Sequence, residues 1–296
     1  MPRIAVVIPT YNRAADLRRA LDSVLRQTLA EFECLVVDNH STDDTDAVVA
    51  SFADPRLRLL KIHNRGSVAA SRNLGVAQAR AEFVAFLDSD DWWTPDKLAL
   101  SLQALEAGAD VVYHDLRIVA RESSRGWRIS RTRVLHPPAL DDLLGEGNGI
   151  NLSSVVLRRE LLLAVDGFSE DTALIATEDF DAWVRIARRS NAFVRIPRAL
   201  GYYLVAPGSL SSPARTVSTL EEIERRYAPE LAALRKRRAI YWLPYCQARA
   251  NYQLGRFAAA RANLASVDWR RAPLHYHARR MVMRLLMLLR TGAKQS

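Results

Sequence analysis

The feature that most constrains this chain is a rhythm in its first hundred residues. Four short β-branched runs alternate there with segments whose apolar residues recur at helical spacing. Residues 3–8, 33–37, 57–62 and 83–87 read as strands. Residues 16–26 read as a helix with Leu17, Ala20, Leu21, Val24 and Leu25 on its buried stripe. Further helices are expected up to about Ser51 and over 67–79. Strands separated by helices belong in a largely parallel sheet covered on both faces. Open sheets of this kind bind ligands at the carboxyl ends of their strands. The rhythm puts Pro9-Thr10, Asp38-Asn39, His63-Asn64 and Asp88-Ser89-Asp90 at that edge. Two helix starts are expected from capping chemistry: Ser41 with Asp44 three residues on, and Thr94 ahead of a helix beginning at Pro95.

From about residue 110 the pattern loosens. Residues 110–113, 153–157, 192–196 and 200–203 are strand-like, and 180–189 is helical. Residues 121–150 carry Gly, Ser, Pro and Arg, including Gly145-x-Gly147-x-Gly149, and read as a mobile loop region. Beyond Pro213 the pattern is purely helical, with breaks near Pro229, Pro244, Gly255 and Pro273. The expected organisation is an α/β region over 1–212, itself divided near 115, and a basic helical region over 213–296.

At 296 residues and 49% hydrophobic content the chain can bury a large core, which argues against disorder. Cys34 and Cys246 have neither metal-site nor disulfide-framework spacing, so a buried thiol in a reducing compartment is expected. The apolar runs are too short for a signal core or a bilayer span, and the chain reads as cytoplasmic. The formal charge is +9, and from Arg235 onward fourteen basic residues face one acid, Asp268. Such a balance suits a diphosphate, a membrane surface or nucleic acid. No nucleic-acid motif accompanies it, so no nucleic-acid partner is expected. Residues 274–289 interleave arginines with Met and Leu as an interfacial helix does, which leaves two readings open: peripheral contact with anionic lipid, or packing on the rest of the chain.

Asp88-Ser89-Asp90-Asp91 follows an apolar strand. Carboxylates crowded at a strand end repel one another, and a cation relieves the repulsion. Oxygen ligands suit Mg²⁺ or Mn²⁺, which bridge carboxylates to diphosphate oxygens. A solvated acidic turn is the other reading. Tyr11 offers a ring on which a nucleobase can stack. Arg72 lies on a helix of small residues, and Glu178-Asp179 sits where a loop becomes a helix. Each has a bland alternative (an ordinary turn, a surface arginine, a helix cap), but all converge on one edge of one sheet.

The series Val7-Ile8-Pro9-Thr10-Tyr11-Asn12, Val36-Val37-Asp38-Asn39-x-Ser41-Thr42-Asp43, Ala70-Ser71-Arg72-Asn73-x-Gly75 and Phe86-Leu87-Asp88-Ser89-Asp90-Asp91 resembles glycosyltransferase family 2. The likeness is dense over about 4–98. It continues more thinly through Glu178-Asp179-Phe180-Asp181-x-Trp183 and Tyr202-Tyr203 to Ser211. The resemblance implies a GT-A fold, with a mostly parallel central sheet flanked by helices; beyond about residue 212 it gives no guidance, and the helical C-terminal extension rests on the residue pattern alone. It also implies inverting, metal-dependent transfer from a nucleoside diphosphate sugar to an acceptor hydroxyl; the expected donor is a UDP- or dTDP-sugar in preference to a GDP-sugar, and the expected acceptor a glycan or lipid-linked one. Residues 1–115 would bind the donor and 116–212 the acceptor. Pro9, Thr10, Tyr11, Arg13, Asp38, Arg72, Asp88 and Ser89 would face the donor nucleotide, and Asp90 would ligate Mn²⁺ or Mg²⁺. Asp179 would be the general base, supported by Glu178. Trp93 and Trp183 are candidates for the acceptor side.

The chain departs from the family at two places. Ala206-Pro207-Gly208-Ser209 stands where many relatives have His-Pro-Gly-Ser, and Asn39-His40 replaces the common acidic-glycine pair. It lacks the Gln-x-x-Arg-Trp of processive synthases, which points to addition of a single sugar. Two rival readings are a nucleotide-sugar-binding protein without catalysis and a nucleotidyltransferase. The latter usually has a glycine-rich first loop, and 9–13 holds no glycine.

Overall fold

The computed structural model describes residues 1–120, 128–130, 132–205 and 212–292. These form two compact units. One comprises the described residues of 1–139, 149–172 and 178–209; the other comprises those of 140–148, 173–177 and 210–296. The helical unit thus takes in two short segments from the middle of the chain.

The first unit begins with the expected alternation: β1 (Ile4–Thr10), α1 (Ala14–Leu25), β2 (Phe32–Asp38), α2 (Thr45–Ala50), β3 (Leu57–Lys61), α3 (Val68–Gln78) and β4 (Phe83–Phe86). There follow β5 (Trp92–Trp93), α4 (Lys97–Glu106), β6 (Val111–Ala120) and β7 (Arg128–Ser130); next in the chain is α5 (Ala139–Glu146), which from Leu140 on belongs to the second unit, and then β8 (Val156–Arg158), α6 (Arg159–Leu163), α7 (Glu178–Ala187) and β9 (Phe193–Val205) of the first. The strand order is β3-β2-β1-β4-β8-β6-β9-β5, with β7 on β6. The β3-β2-β1-β4 half is parallel. Beyond it the sheet is mixed, because β8 runs antiparallel to both β4 and β6. All seven residues of β1 and of β2 are buried, as expected for strands covered on both faces. Leu17, Leu21 and Val24 of α1 pack among them.

One close approach holds this half together. A Cβ on Gly75 of α3 would lie 2.4 Å from Cγ1 of Val7 in β1 and 3.3 Å from Cγ2 of Val37 in β2. Only glycine lets the helix backbone descend this far onto the sheet.

Several local expectations change. The pair at 192–196 and 200–203 is one long strand, β9. The predicted loop over 121–150 contains β7 and α5, so Gly145 is helical; Gly147 follows with φ 80°. Thr94 does not cap a helix at Pro95: its hydroxyl donates to Asp96, and α4 begins at Lys97. Immediately before Thr94 lies β5, a two-residue strand without a sequence signature.

The second unit contains α8 (Pro213–Arg226), α9 (Ala228–Arg235), α10 (Trp242–Gln253), α11 (Phe257–Ala265) and α12 (Leu274–Gly292). The breaks fall where proline and glycine dictate. Pro229 sits in the first turn of α9, Gly255 takes φ 73° between α10 and α11, and Pro273 precedes α12. The Trp242 indole N–H donates to the Leu144 carbonyl at 2.8 Å, and Arg237 pairs with Asp141, joining 140–146 to this unit. Tyr241, Trp269 and Tyr276 form its aromatic core.

Candidate functional site

Parallel register brings three strand ends into one row. Thr10 of β1 lies against Asp38 of β2, and Asp38 against Lys61 of β3. Asp38 is fully buried, and an unpaired carboxylate there would be costly. Lys61 Nζ at 2.7 Å and the Ser41 N–H at 3.0 Å compensate it. This claim on Ser41 overrides the expected capping arrangement: α2 begins at Thr45, and Asp44 makes no side-chain cap bond. Asn12 enters the left-handed region at φ 49°. Its N–H donates to Ser41 Oγ at 2.8 Å, and its side-chain carbonyl accepts from the Thr42 N–H at 2.7 Å. The turns after β1 and β2 are therefore laced together. Pro9 and Thr10 are buried and Tyr11 is exposed; the Thr10 hydroxyl has no partner among the described residues. His40 and His63 stack at 3.8 Å where β2 and β3 end.

Arginines surround the acidic turn after β4. Arg72 is buried, with one terminal nitrogen 2.9 Å from Asp88 Oδ1 and the other 2.6 Å from Glu178 Oε1. Arg13 donates to Asp90 Oδ2 at 2.7 Å. Arg19 donates to the Asp90 carbonyl at 2.9 Å and lies over the Trp92 ring at 4.0 Å. The Asp88 N–H donates to Ser153 Oγ at 3.1 Å, and Ser89 is buried. Asp91 is buried and accepts the Leu204 N–H at 3.0 Å, which ties the turn to β9. Burial, with Asp88 next in importance, pushes the Asp91 carboxyl well above the usual carboxylate range; the same two causes raise Asp90.

Glu178 and Asp179 open α7, just after Ala176 takes φ 71°. Glu178 is buried and its Oε2 has no partner among the described residues, while Asp179 is half-buried and accepts the Phe180 N–H at 2.7 Å. Arg72 is thus the link between this pair and the strand-end turn.

Two candidates do not join the site. Trp93 is buried, its indole N–H bonded to the Ser153 carbonyl at 2.7 Å and its ring under the Lys97 ammonium at 3.7 Å. Trp183 is fully buried against Phe168, edge-on at 6.0 Å. Rings without exposed surface pack the core and offer no platform. Ala206-Pro207-Gly208-Ser209 lies outside the described residues. Lys61, Arg19 and Tyr203 were not foreseen. Tyr203 is part-exposed, and burial, followed by Asp91, Asp88 and Asp90, pushes its phenol up, which places it by the acid run. Register with Asp38 could have marked Lys61, and the Tyr202-Tyr203 pair of the family resemblance could have marked Tyr203; nothing in the sequence marks Arg19.

The acids suit a hard divalent cation. Asp88 Oδ1 and Asp90 Oδ2 each accept from an arginine. Burial, and after it the neighbouring Asp88 carboxylate, raises the proton affinity of Asp90, and a bound cation would offset both effects. No group of three or more metal-ligating side chains exists among the described residues. A site of this kind would hold a divalent cation through one or two carboxylates, with its remaining ligands from water and substrate phosphate.

Comparison with known proteins places this geometry in context. A family model described as glycosyl transferase family 2 matches residues 5–175, a span that ends just short of Glu178. The UDP-Glc:alpha-D-GlcNAc-diphosphoundecaprenol beta-1,3-glucosyltransferase WfgD of Escherichia coli is 28% identical over 226 residues, covering 76% of this chain and 83% of the relative. Among solved structures, S. aureus TarS 1-349 in complex with UDP-GlcNAc has a TM-score of 0.60 at 21% identity, covering 99% of this chain and 92% of that one. The mannosyltransferase PcManGT from Pyrobaculum calidifontis, in complex with GDP-Man and Mn2+, has a TM-score of 0.61 at 22% identity, covering 97% and 85%. At these identities the two structures speak for the fold alone, and that fold is GT-A. Because the family match spans more than half of the chain and includes every strand end that carries the acidic and arginine groups, the chain belongs to glycosyltransferase family 2 and is a glycosyltransferase.

Proposed function

We propose that the enzyme moves one sugar from a nucleoside diphosphate sugar to an acceptor hydroxyl, with inversion, using Asp179 as general base and a divalent cation, Mn²⁺ or Mg²⁺, on Asp90. The observation that carries this reading is Arg72, whose single buried guanidinium holds Asp88 and Glu178 together. It brings an acid of the strand-end turn and an acid of α7 within reach of one side chain. Inversion needs the acceptor to attack opposite the leaving diphosphate while a carboxylate takes its proton, and Asp179, half-buried beside Glu178, suits that task. When bound, the cation offsets charge on the departing diphosphate.

Thr10, Tyr11, Asp38 and Arg72 serve the nucleoside, and Arg13, Asp88 and Ser89 the phosphate and ribose end. Residues 1–115 form the donor part and 116–212 the acceptor part. UDP or dTDP carries the sugar in preference to GDP, and the acceptor is a glycan or lipid-linked saccharide in cell-surface polysaccharide synthesis. The name of the Escherichia coli relative, which has a UDP-sugar donor and a diphosphoundecaprenol-linked acceptor, supports this choice.

The test is nucleoside diphosphate release from a panel of UDP-, dTDP- and GDP-sugars with Mn²⁺ or Mg²⁺. Release with one donor, lost in EDTA and in Asp90→Asn, is the expected result. Asp179→Asn should abolish transfer while calorimetry still shows donor binding. No turnover together with no binding of any nucleoside diphosphate would overturn the reading.

A further inference from the structure

Helix α12 has two faces that differ in kind. Tyr276, Met283 and Met287 are buried, and they anchor the helix within its own unit. On the other side Leu274, Ala278, Met281, Val282 and Leu285 recur at i, i+4, i+7, i+8 and i+11, one continuous stripe at 3.6 residues per turn. This stripe is open to solvent: Leu274 is 87% exposed, Met281 69% and Leu285 56%. A row of this kind on a helix already anchored by its opposite face is not needed for packing, and contiguous exposed apolar surface marks an interaction site.

The flanks indicate the partner. Arg279 and Arg284 lie on either side of the stripe, and Arg279 is held over the Tyr245 and Tyr276 rings at 5.7 and 5.6 Å. Charge reinforces this. From Arg235 to the C-terminus fourteen basic residues face one acid, so the rest of the chain is net acidic while this segment carries the positive charge. No helix among the described residues is long and apolar enough to cross a membrane. An apolar stripe between arginines, on a helix too polar to span, has the composition of a helix that lies in the plane of a bilayer interface.

We propose that α12 is an in-plane membrane anchor, with Met281, Val282 and Leu285 seated among the acyl chains and Arg279 and Arg284 on anionic headgroups. The proposal accords with a lipid-linked acceptor but is read without donor or acceptor, so it can fail while the transferase reading stands. The experiment is co-sedimentation of the full chain with vesicles of phosphatidylcholine alone and of phosphatidylcholine mixed with phosphatidylglycerol. Binding should be about tenfold or more tighter to the anionic vesicles. Met281→Glu with Leu285→Glu, both at exposed positions, should reduce it by about tenfold or more and leave donor hydrolysis unchanged. Arg279→Glu with Arg284→Glu should cost a similar factor and flatten the salt dependence. Three results would overturn the proposal: no sedimentation of the full chain with anionic vesicles; sedimentation undiminished by the Met281/Leu285 pair; or light scattering that shows a dimer in solution which the same pair dissociates, because the stripe would then be an interface between copies.

Discussion

Arg72 spends both terminal nitrogens of its guanidinium on carboxylates, one from the strand-end turn and one from α7. Removal of one partner from a buried charge cluster leaves the others uncompensated. Arg72→Met should therefore cost about 3–5 kcal/mol in urea unfolding. Arg72→Lys keeps the charge but replaces a planar fork with a point. It should retain much of the stability while kcat/KM falls by about 100-fold, the typical cost of slight misplacement near the chemistry. Equal stability loss in both variants would assign Arg72 to the fold alone. His114 lies outside the site and titrates differently. It is fully buried, its Nδ1 is 2.8 Å from the Asp115 carbonyl oxygen, and burial, then Lys97, depress its pKa to about 3. The unfolded chain takes up this proton below the ordinary value of about 6.5, whereas the folded chain resists it. Stability attributable to His114 is thus present above pH 6.5 and declines, by up to about 1.4 kcal/mol for each pH unit, as the pH falls toward 3. His114→Gln should flatten this acid-side slope in urea midpoints taken from pH 6 down to pH 4; an unchanged slope would place the proton elsewhere.

At the scale of elements, the clearest dependence is that of α3 on Gly75. Alanine would gain about 1 kcal/mol of helix propensity. Its Cβ, however, would sit 2.4 Å from a Val7 methyl in a core where overpacking costs about 1–3 kcal/mol. The clash should win: Gly75→Ala is expected to destabilise by about 1–2 kcal/mol, and Val7→Ala in the same chain should recover part of the loss. Additive losses in the double-mutant cycle would mean that the two sites do not touch. The elements also show where sequence reasoning stops. The parallel half was legible because β1 and β2 are mostly apolar and α1 carries a clear buried stripe. The short strands β5, β7 and β8 were missed or shifted because two or three residues carry no period, and their pairing partners are distant in sequence. Ser41 was misread for a related reason: local spacing favoured a cap, but a buried Asp38 had the stronger need for its donors.

For the molecule as a whole, a donor site that assembles several elements should couple ligand to stability. UDP with Mn²⁺ at about a hundredfold excess over Kd would add roughly 2.7 kcal/mol by mass action. Scanning calorimetry should show a transition raised by the nucleotide and cation together, and Asp90→Asn should abolish the cation's share. A shift that survives this substitution would remove Asp90 from the cation site.

The sequence by itself determined the strand–helix alternation, the strand ends at which Thr10, Asp38 and Asp88 to Asp90 lie, and the helical breaks at Pro229, Gly255 and Pro273. Periodicity, proline and glycine act locally and leave local marks. Only the tertiary structure decided that Trp93 and Trp183 are core, that Lys61 neutralises Asp38, and that Arg72 spans Asp88 and Glu178 across more than a hundred residues of chain. Burial and ion pairing depend on which segments meet, and that is set by the packing of the whole sheet, not by any one stretch of it.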